Sequence, residues 1–513
     1  MIFNQVSDKA WRLRSVSRRL TVTWGLLQTK KVWWLSVILM TIVGAVVRFR
    51  HLDTQSLWID EYLWILLGSK ELTAIAHTTD GYPPAYGFLV HFLLRAGFDS
   101  DWWLRVPSAV AGTLAIPLVY YVGRQVEKHC SAAIAASLLA IHPLAVWYSQ
   151  EVGAYSLLML CTLLSTLCLL AILRGGGLRS ALGYTLSTSL GFGLHYYFIF
   201  VVAAHTAVVV RDYMRYPARR RVWLWTGLLT IGAAGIWGQS FLADFASQTT
   251  EDSTRSFSWL ALPYTALTFV GGFSLGPSLR TLHPSVSIGV PIWDTLEPSF
   301  IPALLAIAVS VALTLLSCAR RVGGRRMLVL AMLICPVLGA WLCSAMLVGY
   351  RPRYVFPALP FAILWFTGSM RTQFRRVALA LLVLFAILAL AGLVQINAAL
   401  YAREDNRSAA WYIASKGGNA PVVLLGQGTA PFERYAKDRH HVLTLLPYDV
   451  QDSATLQQAM ADLLTESHGF WLVSSRPWTV DPSNWVQAFL KSRFALREET
   501  MFAGVTVQLY TNR

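Results

Sequence analysis

Residues 32–62 read VWWLSVILMTIVGAVVRFRHLDTQSLWIDEY. An apolar stretch, close to the roughly 20 residues that cross a bilayer, is followed by two adjacent carboxylates, Asp60 and Glu61. Acidic side chains are costly to bury at a membrane and usually have a function there. Trp58 and Tyr62 flank them, and aromatic rings can stack on a sugar while a carboxylate accepts a hydroxyl proton. The stretch therefore predicts a polytopic membrane protein with a sugar site just outside the membrane.

Composition supports the membrane class. Of the 513 residues, 55% are hydrophobic and only 14% are charged, whereas soluble proteins are about 25% charged. The net charge is +16, and the basic residues lie in short clusters between apolar stretches. This pattern is typical of loops held on the cytoplasmic side and of contacts with anionic membrane lipids, and it argues against nucleic acid as a partner.

The apolar stretches predict about eleven spans. They lie near 32–47, 107–123, 131–148, 155–173, 181–198, 199–210, 222–241, 300–317, 327–349, 354–370 and 377–395. Basic clusters fall at alternate boundaries, at 12–31, 124–128, 174–179, 211–221, 320–326 and 371–376. This alternation predicts a multi-pass protein of the bacterial inner membrane, with a cytoplasmic N-terminus and the C-terminal region outside.

The domain organisation follows from this topology. Residues 1–31 are predicted to be a cytoplasmic basic amphipathic segment, with a disordered tail as the alternative. A transmembrane domain covers 32–395, with a first external loop at 48–106 and a second at 242–299 that is interpreted as a lid or a lipid-facing loop. Residues 84–95 are predicted to form an interfacial helix, because counting them as a span would reverse every later loop.

Residues 396–513 are predicted to form a soluble α/β domain outside the membrane, because strand and helix patterns alternate there. The predicted helices are 405–416, 454–465 and 482–490, and the predicted strands are 422–425, 442–445, 470–473 and 505–510. This region has no cysteine and no glycine-rich phosphate loop. The fold class is thus a polytopic α-helical membrane protein with a C-terminal soluble α/β domain.

The predicted topology brings many polar and aromatic residues to the outer face, as expected of a concave site between span ends. The candidates are Trp58, Asp60, Glu61, Tyr62, His77, Asp80, Tyr82, Arg105, Glu151, His195, Tyr196, Arg353 and Tyr354. Any one of them can instead be an interfacial anchor, but a pair of carboxylates makes a poor anchor.

Several short motifs occur together in a characteristic order. They are Trp58-Ile59-Asp60-Glu61, Tyr82-Pro83-Pro84-Ala85-Tyr86, Arg105-Val106-Pro107-Ser108-Ala109, Trp147-Tyr148-Ser149-Gln150-Glu151, Tyr155-Ser156-Leu157, His195-Tyr196-Tyr197, and Arg353-Tyr354 with Pro357 and Pro360. Over the membrane part, the chain resembles the GT-C superfamily of membrane glycosyltransferases, in particular the family 39 and aminoarabinose-transferase-like branch. The resemblance of the C-terminal domain is architectural.

The resemblance implies transfer of a sugar from a polyprenyl-phosphate donor to a glycolipid, polysaccharide or protein acceptor on the outer face. It also implies that Asp60 is the catalytic carboxylate and that Glu151 joins the site. Two positions depart from the family pattern: Tyr82 replaces a His or Asn, and Gly153 replaces an Arg. The sugar, the acceptor and the prenyl length stay open.

The chemistry of such a transfer suggests roles for the charged residues. Asp60 is expected to act as the base in an inverting single displacement. Arg105 and Arg353 are candidates to bind the donor phosphate; Arg353 is favoured, because Arg105 can instead tie the first external loop in place. Glu61 and Glu151 are expected to position the acceptor or, with Asp60, to hold Mg²⁺ or Mn²⁺.

Two other functions fit parts of the sequence. A flippase or transporter for polyprenyl-linked sugars would place ionisable residues at mid-membrane and often shows internal repeats; here the charges lie at span ends and no repeat is visible. A non-catalytic factor in envelope assembly is the other alternative. A labelled polyprenyl-phosphate sugar separates the three functions, because only a transferase moves the label to an acceptor.

Overall fold

The computed structural model describes most of the chain. The described residues are 30–78, 81, 83–248, 258–277, 300–345, 350–398, 400–417, 420–436, 442–445, 469–481 and 484–512. The predicted amphipathic segment at 1–31 lies almost wholly outside them, as does the predicted helix at 454–465.

The membrane part is helical. In chain order its α-helices are Lys30–Phe49, Ile59–Ser69, Leu72–Ala76, Ala85–Arg95, Asp101–Val126, His129–Ile141, Pro143–Ser149, Tyr155–Ile172, Leu178–Leu194, Phe198–Arg215, Arg220–Gly235, Gly238–Gln248, Ala261–Gly271, Phe300–Cys318, Arg325–Cys343, Leu359–Gly368 and Arg375–Gln395. A 3-10 helix at Pro352–Ala358 leads directly into Leu359–Gly368.

Six of the described helices are long and apolar enough to cross a membrane, and a bent pair brings the number to seven. The prediction of a polytopic helical membrane protein is therefore confirmed. The other predicted spans also coincide with helices, but these are shorter or more polar, as in Leu178–Leu194 and Phe198–Arg215. The count of about eleven spans stays a prediction.

The bent pair joins His129–Ile141 to Pro143–Ser149 at an angle of 56°. Proline has no N–H, so a break in front of it leaves carbonyl groups without helical partners. Arg48 fills this gap: its guanidinium donates to the carbonyls of Ala140 at 2.8 Å and Leu139 at 3.1 Å, and to Ser149 Oγ at 3.1 Å. The first span thus holds the break in place.

The first external loop is mostly helical. It contains Ile59–Ser69, Leu72–Ala76 and the predicted interfacial helix, which runs from Ala85 to Arg95. The next helix begins at Asp101, about two turns before the predicted start of that span. Ser100 caps it by accepting a hydrogen bond from the Trp103 N–H.

Part of the second external loop is packed inside the bundle. Ala261–Gly271 is a helix whose last residues, from Leu267 onward, are buried. It ends at Gly272, whose φ of +67° suits glycine and whose backbone lies against Pro143. The sequence interpretation did not anticipate this packed helix, and a lid or lipid-facing role for the region 242–299 stays a prediction. Residues 249–257 and 278–299 lie outside the described residues.

The C-terminal α/β domain is present. It contains the helices Asn406–Lys416, Phe432–Ala436 and Trp485–Arg493, and strands β1 (Val422–Leu425), β2 (Val442–Leu445), β3 (Gly469–Ser474), β4 (Phe494–Phe502) and β5 (Val505–Asn512). The strand order is β2-β1-β3-β5-β4, with β1 parallel to both neighbours and β5 antiparallel to β3 and β4. The sequence prediction missed β4, a charged edge strand with little buried surface.

Candidate active site

The site begins at the Ile59–Ser69 helix, which carries the two adjacent carboxylates in its first turn. Neighbouring residues on a helix point about 100° apart, so Asp60 and Glu61 enter different surroundings. Glu61 is fully buried. One of its oxygens accepts a hydrogen bond from the Val152 N–H at 2.8 Å, and the other accepts one from the Trp58 N–H at 3.3 Å.

Arg105 is the main partner of Glu61. Its Nε and one terminal nitrogen each donate to a Glu61 oxygen at 2.7 Å. The remaining N–H groups donate to the carbonyl oxygens of Leu52, Gln55 and Ser56. Because every donor is engaged and the side chain is fully buried, Arg105 in this conformation ties the first external loop to the bundle. Its predicted contact with a donor phosphate is not available in this arrangement.

Asp60 lies opposite Arg353, which comes from the Pro352–Ala358 3-10 helix almost 300 residues later. The two side chains form an ion pair, and the Asp60 side chain keeps 18% of its surface exposed. The carboxylate predicted to be the base and the guanidinium predicted to bind the phosphate are thus adjacent, at the end of the bundle that the sequence predicts to be outside. This juxtaposition is the central feature of the site.

Aromatic rings surround this pair. Arg353 lies over the rings of Tyr155 and Tyr354, at 5.9 Å and 5.6 Å. The His195 ring contacts Tyr354 at 5.2 Å and Tyr197 at 5.4 Å. Cation–π contacts of this kind hold a guanidinium without occupying its hydrogen-bond donors, and such rings suit the apolar face of a sugar. The predicted residues His195 and Tyr354 therefore belong to this group.

Glu151 lies in the turn after the Pro143–Ser149 helix and is buried. Burial, with smaller effects from the charges of Glu61 and Asp60, raises its pKa to about 8, although Arg403 and Arg353 oppose the shift. Glu151 is therefore protonated near neutral pH. Its Oε2 lies 3.9 Å from Arg403 but accepts no hydrogen bond within the described residues, so this buried acceptor is left unsatisfied there.

Arg403 links two of the carboxylates, Glu61 and Glu151, to the start of the C-terminal domain. It is buried, lies 3.8 Å from Glu61, and donates to the Gln150 carbonyl at 2.9 Å. Its guanidinium also packs 4.8 Å over the Trp147 ring. The sequence analysis missed this residue. The charged run 403–405, directly after the last span on the side predicted to be outside, was the available signal.

The C-terminal domain is fastened to the first external loop next to the site. The Asp101 carboxylate accepts hydrogen bonds from the Tyr435 hydroxyl and from Arg407, both at 2.6 Å. The same Tyr435 hydroxyl accepts one from the Leu57 N–H at 2.9 Å. Arg407 also donates to the Asp53 carbonyl. We call this set of contacts around Asp101 the Asp101 clamp.

The other predicted substrate residues have different surroundings. The Trp58 ring lies 5.7 Å from the Arg476 guanidinium of the C-terminal domain. Burial raises the pKa of Tyr62, and the charges of Glu433 and Arg434 in that domain act on it in opposite directions. Tyr196 packs against Phe241 at 5.2 Å. His77 is exposed at the end of the Leu72–Ala76 helix. Asp80 and Tyr82 lie outside the described residues.

The three carboxylates do not form the predicted metal-ligand set. Both oxygens of Glu61 accept hydrogen bonds from Arg105, which leaves this carboxylate no lone pair directed toward a shared ion. Within the described residues, no three His, Cys, Asp or Glu side chains are grouped as a metal would require. We therefore derive no step through Mg²⁺ or Mn²⁺.

Comparisons with known proteins bear on the fold of the membrane part. Residues 82–237 match the family described as dolichyl-phosphate-mannose-protein mannosyltransferase. No curated protein matches the chain by sequence. The crystal structure of ArnT from Cupriavidus metallidurans bound to undecaprenyl phosphate is similar over 94% of this chain and 98% of its own, with 13% identity and a TM-score of 0.54.

A second similar structure is the archaeal oligosaccharyltransferase AglB from Archaeoglobus fulgidus, in complex with an inhibitory peptide and a dolichol-phosphate. It covers 94% of this chain and 74% of its own, with 11% identity and a TM-score of 0.53. At such low identity these similarities establish the fold. They confirm the GT-C architecture that the sequence motifs suggested.

Proposed function

We propose that this GT-C membrane protein transfers a sugar from a polyprenyl-phosphate donor to a cell-envelope acceptor, with Asp60 as the base. The adjacency of Asp60 and Arg353 within a group of aromatic rings is the observation that carries the proposal. The matched family and the ArnT structure, whose descriptions name a dolichyl-phosphate-mannose donor and bound undecaprenyl phosphate, support the class of donor.

The reaction needs one proton transfer and one displacement. The acceptor hydroxyl gives its proton to Asp60 while its oxygen forms a bond to the anomeric carbon. The bond from that carbon to the phosphate oxygen breaks, and the lipid phosphate leaves with the electron pair. A single displacement inverts the anomeric configuration. A positioned base contributes roughly 10²–10⁴-fold to the rate of such a step.

Arg353 has two possible partners in this scheme. Without donor it pairs with Asp60, and this ion pair occupies the carboxylate. A donor phosphate at headgroup depth would compete for the same guanidinium, which suits phosphate geometry. Binding of the donor would then release Asp60 to accept the hydroxyl proton, so the base becomes active when the site is loaded.

Glu151 and Arg403 lie where an acceptor could be held. A protonated Glu151 can donate one hydrogen bond and accept others, and its Oε2 has no partner within the described residues. Gly153 stands beside it, and a Cβ there would approach Glu151 Oε1 to 3.1 Å. Glycine at position 153 therefore avoids a close contact with the Glu151 carboxyl group. We assign Glu151 to binding the acceptor and leave the sugar and the acceptor unnamed.

A transfer assay tests the proposal. The purified full-length protein in nanodiscs would be mixed with a radiolabelled polyprenyl-phosphate sugar and an envelope lipid extract as the source of acceptor. We expect the label to move from the prenyl lipid to a second product, with the opposite anomeric configuration. In a parallel liposome preparation, movement of intact labelled donor across the bilayer without any second product would contradict the proposal and favour a flippase.

A further inference from the structure

A second charged group lies at the far end of the helix that carries Arg105. Glu127 follows the last residue of the Asp101–Val126 helix and is buried. It accepts hydrogen bonds from Arg320 at 2.8 Å and Arg371 at 3.3 Å, and its other oxygen lies 3.1 Å from Arg326 Nε. We call these four residues the Glu127 cluster.

The Glu127 cluster is separate from the candidate active site. Arg105 and Glu127 are 22 positions apart on one helix, and a rise of 1.5 Å per residue separates them by about 33 Å. This distance is close to the roughly 30 Å thickness of a bilayer core. The cluster therefore lies at the opposite membrane interface, at headgroup depth.

The cluster has more positive than negative charge. Three guanidinium groups share the Glu127 carboxylate, and each comes from a different part of the chain. Arg174, Arg325 and Arg124 add charge nearby: the pKa of Arg174 is lowered by partial burial and then by the other two cations. An ion pair that served only to join helix ends would need a single cation. The surplus of positive charge around Glu127 indicates an anionic ligand.

Arg326 gives a second, independent indication. It is only 5% exposed and is held 4.7 Å over the Trp365 ring, with one nitrogen donating to the Ser317 carbonyl. Its buried NH1 atom has no hydrogen-bond partner within the described residues. A buried polar atom without a partner is costly. Gly368 lies directly alongside, where a Cβ would approach Arg326 to 3.1 Å and Glu127 to 3.3 Å.

We propose that the Glu127 cluster binds the phosphate of an anionic phospholipid in the leaflet opposite the active site. Arg326 NH1 would donate to a phosphate oxygen, and Arg320 and Arg371, which are partly exposed, would supply charge from the rim. Basic pockets between span ends are suited to lipid headgroups. The bound lipid would join the ends of three helices that otherwise repel one another.

Native mass spectrometry of the full-length protein tests this assignment. The protein would be released from micelles containing equal amounts of dioleoylphosphatidylglycerol and dioleoylphosphatidylcholine. We expect wild type to retain phosphatidylglycerol preferentially. The Arg320→Gln/Arg371→Gln variant should bind it about 25-fold more weakly, because each basic residue near a membrane surface contributes about fivefold. No preference in wild type would overturn the proposal.

Two control variants exclude simpler explanations. Arg321→Gln/Arg375→Gln removes the same charge from exposed neighbouring positions and should keep most of the preference for phosphatidylglycerol. If this variant lost as much of the preference as the Arg320/Arg371 variant, surface charge alone would explain the binding and the proposed site would be excluded. Arg371→Lys keeps the charge of the cluster and is expected to fold even if the double variant does not. Arg371→Lys should weaken the retention of phosphatidylglycerol by severalfold. The assignment would be refuted if Arg371→Lys retained the lipid as well as wild type and the double variant folded and bound it fully.

A melting experiment separates the lipid from a free anion. Adding phosphatidylglycerol should raise the Tm of wild type but not of the double variant. Inorganic phosphate at millimolar concentration should give little effect, because it lacks the acyl chains that hold a headgroup at this depth. An equal rise with phosphate alone would overturn the lipid assignment and identify a soluble anion as the ligand.

Discussion

Arg105 lies fully buried with every N–H group engaged, whereas Arg353 pairs among aromatic rings with Asp60, whose side chain keeps 18% of its surface exposed. The two residues have the same charge and both lie at the end of the bundle that the sequence predicts to be outside. Their different surroundings separate a residue that holds the loop from a residue that can meet substrate. This difference can be measured, because the role of Arg105 affects stability and the role of Arg353 affects the use of the donor.

Replacing each arginine should therefore have a distinct effect. Arg105→Ala leaves Glu61 buried without its cation, and breaking a buried pair costs about 3–5 kcal/mol of stability. Arg353→Ala should change the Tm little and weaken donor use by roughly 10- to 150-fold, the effect of losing one charged hydrogen bond. Arg353→Lys should recover part of the loss.

Thermal unfolding and steady-state kinetics with varied donor, measured on the same preparations, distinguish these outcomes. If Arg353→Ala leaves both kcat and the apparent donor affinity unchanged, Arg353 is not part of the site. If Arg105→Ala is as stable as wild type, the loop is held by other contacts.

Glu151 gives the protein a predictable dependence on pH. The folded protein holds a proton on Glu151 up to about pH 8, whereas an unfolded chain releases it near the ordinary glutamate value of 4.5. Stability from this group is thus complete below about pH 4.5 and is lost as the pH rises toward 8, by at most about 1.4 kcal/mol per pH unit. Glu151→Gln should remove this slope.

The measurement is the Tm of wild type and Glu151→Gln at pH 6 and pH 8. We expect the Tm of the variant to fall less over this interval than that of wild type. Glu71→Gln, at an exposed glutamate of the first external loop, serves as the control and should behave like wild type. Parallel curves for wild type and Glu151→Gln would mean that Glu151 is already ionised at pH 6.

At the scale of elements, apolar length and strand patterns predicted much of the fold. The long spans and the strands β1, β2 and β3 are mostly apolar, and β5 begins with β-branched residues, so local sequence identifies them. Edge strand β4 carries charges and was missed, because it depends on pairing with β5 rather than on burial. The burial of Ala261–Gly271 was also missed, since an 11-residue apolar helix resembles an interfacial segment.

The candidate site was predictable only in part, because the pairing of its side chains depends on tertiary structure. The paired carboxylates and the motif Arg353-Tyr354 are local signals. That Glu61 pairs with Arg105 while Asp60 pairs with Arg353 depends on which way each side chain turns on its helix, and spacing alone does not determine it. Arg403 reaches the site through the tertiary arrangement of a short segment after the last span.

The helix break before Pro143 yields a prediction of its own. Arg48 donates to the carbonyls of Ala140 and Leu139 at the break, so Arg48→Met should cost at least about 1.5 kcal/mol, the lower end for a charged hydrogen bond. Arg50→Met, at an exposed position two residues away, is the matched control and should be neutral. Thermal unfolding in one detergent compares them, and equal Tm values for both variants would exclude this role for Arg48.

At the scale of the whole molecule, the C-terminal domain is fastened beside the catalytic loop by the Asp101 clamp. Asp101→Asn keeps the shape but weakens the contacts with Arg407 and Arg434. We expect it to make the 53–57 segment more open, with faster hydrogen exchange and a lower kcat by severalfold. The exposed neighbour Asp99 provides the control, since Asp99→Asn changes the same charge.

Hydrogen exchange followed by mass spectrometry would report the clamp directly. Protection at 53–57 should fall in Asp101→Asn and stay at the level of wild type in Asp99→Asn. Equal protection in all three proteins would show that the C-terminal domain does not hold the catalytic loop.

The central claim is that Asp60 removes the proton from the acceptor while Arg353 meets the donor phosphate. The most direct test is single-turnover transfer by Asp60→Asn, with donor binding measured on the same preparation. Asparagine keeps the shape but cannot act as the base, so we predict a rate lower by roughly 10²–10⁴-fold with donor binding within a few fold of wild type. A transfer rate close to that of wild type would contradict the account.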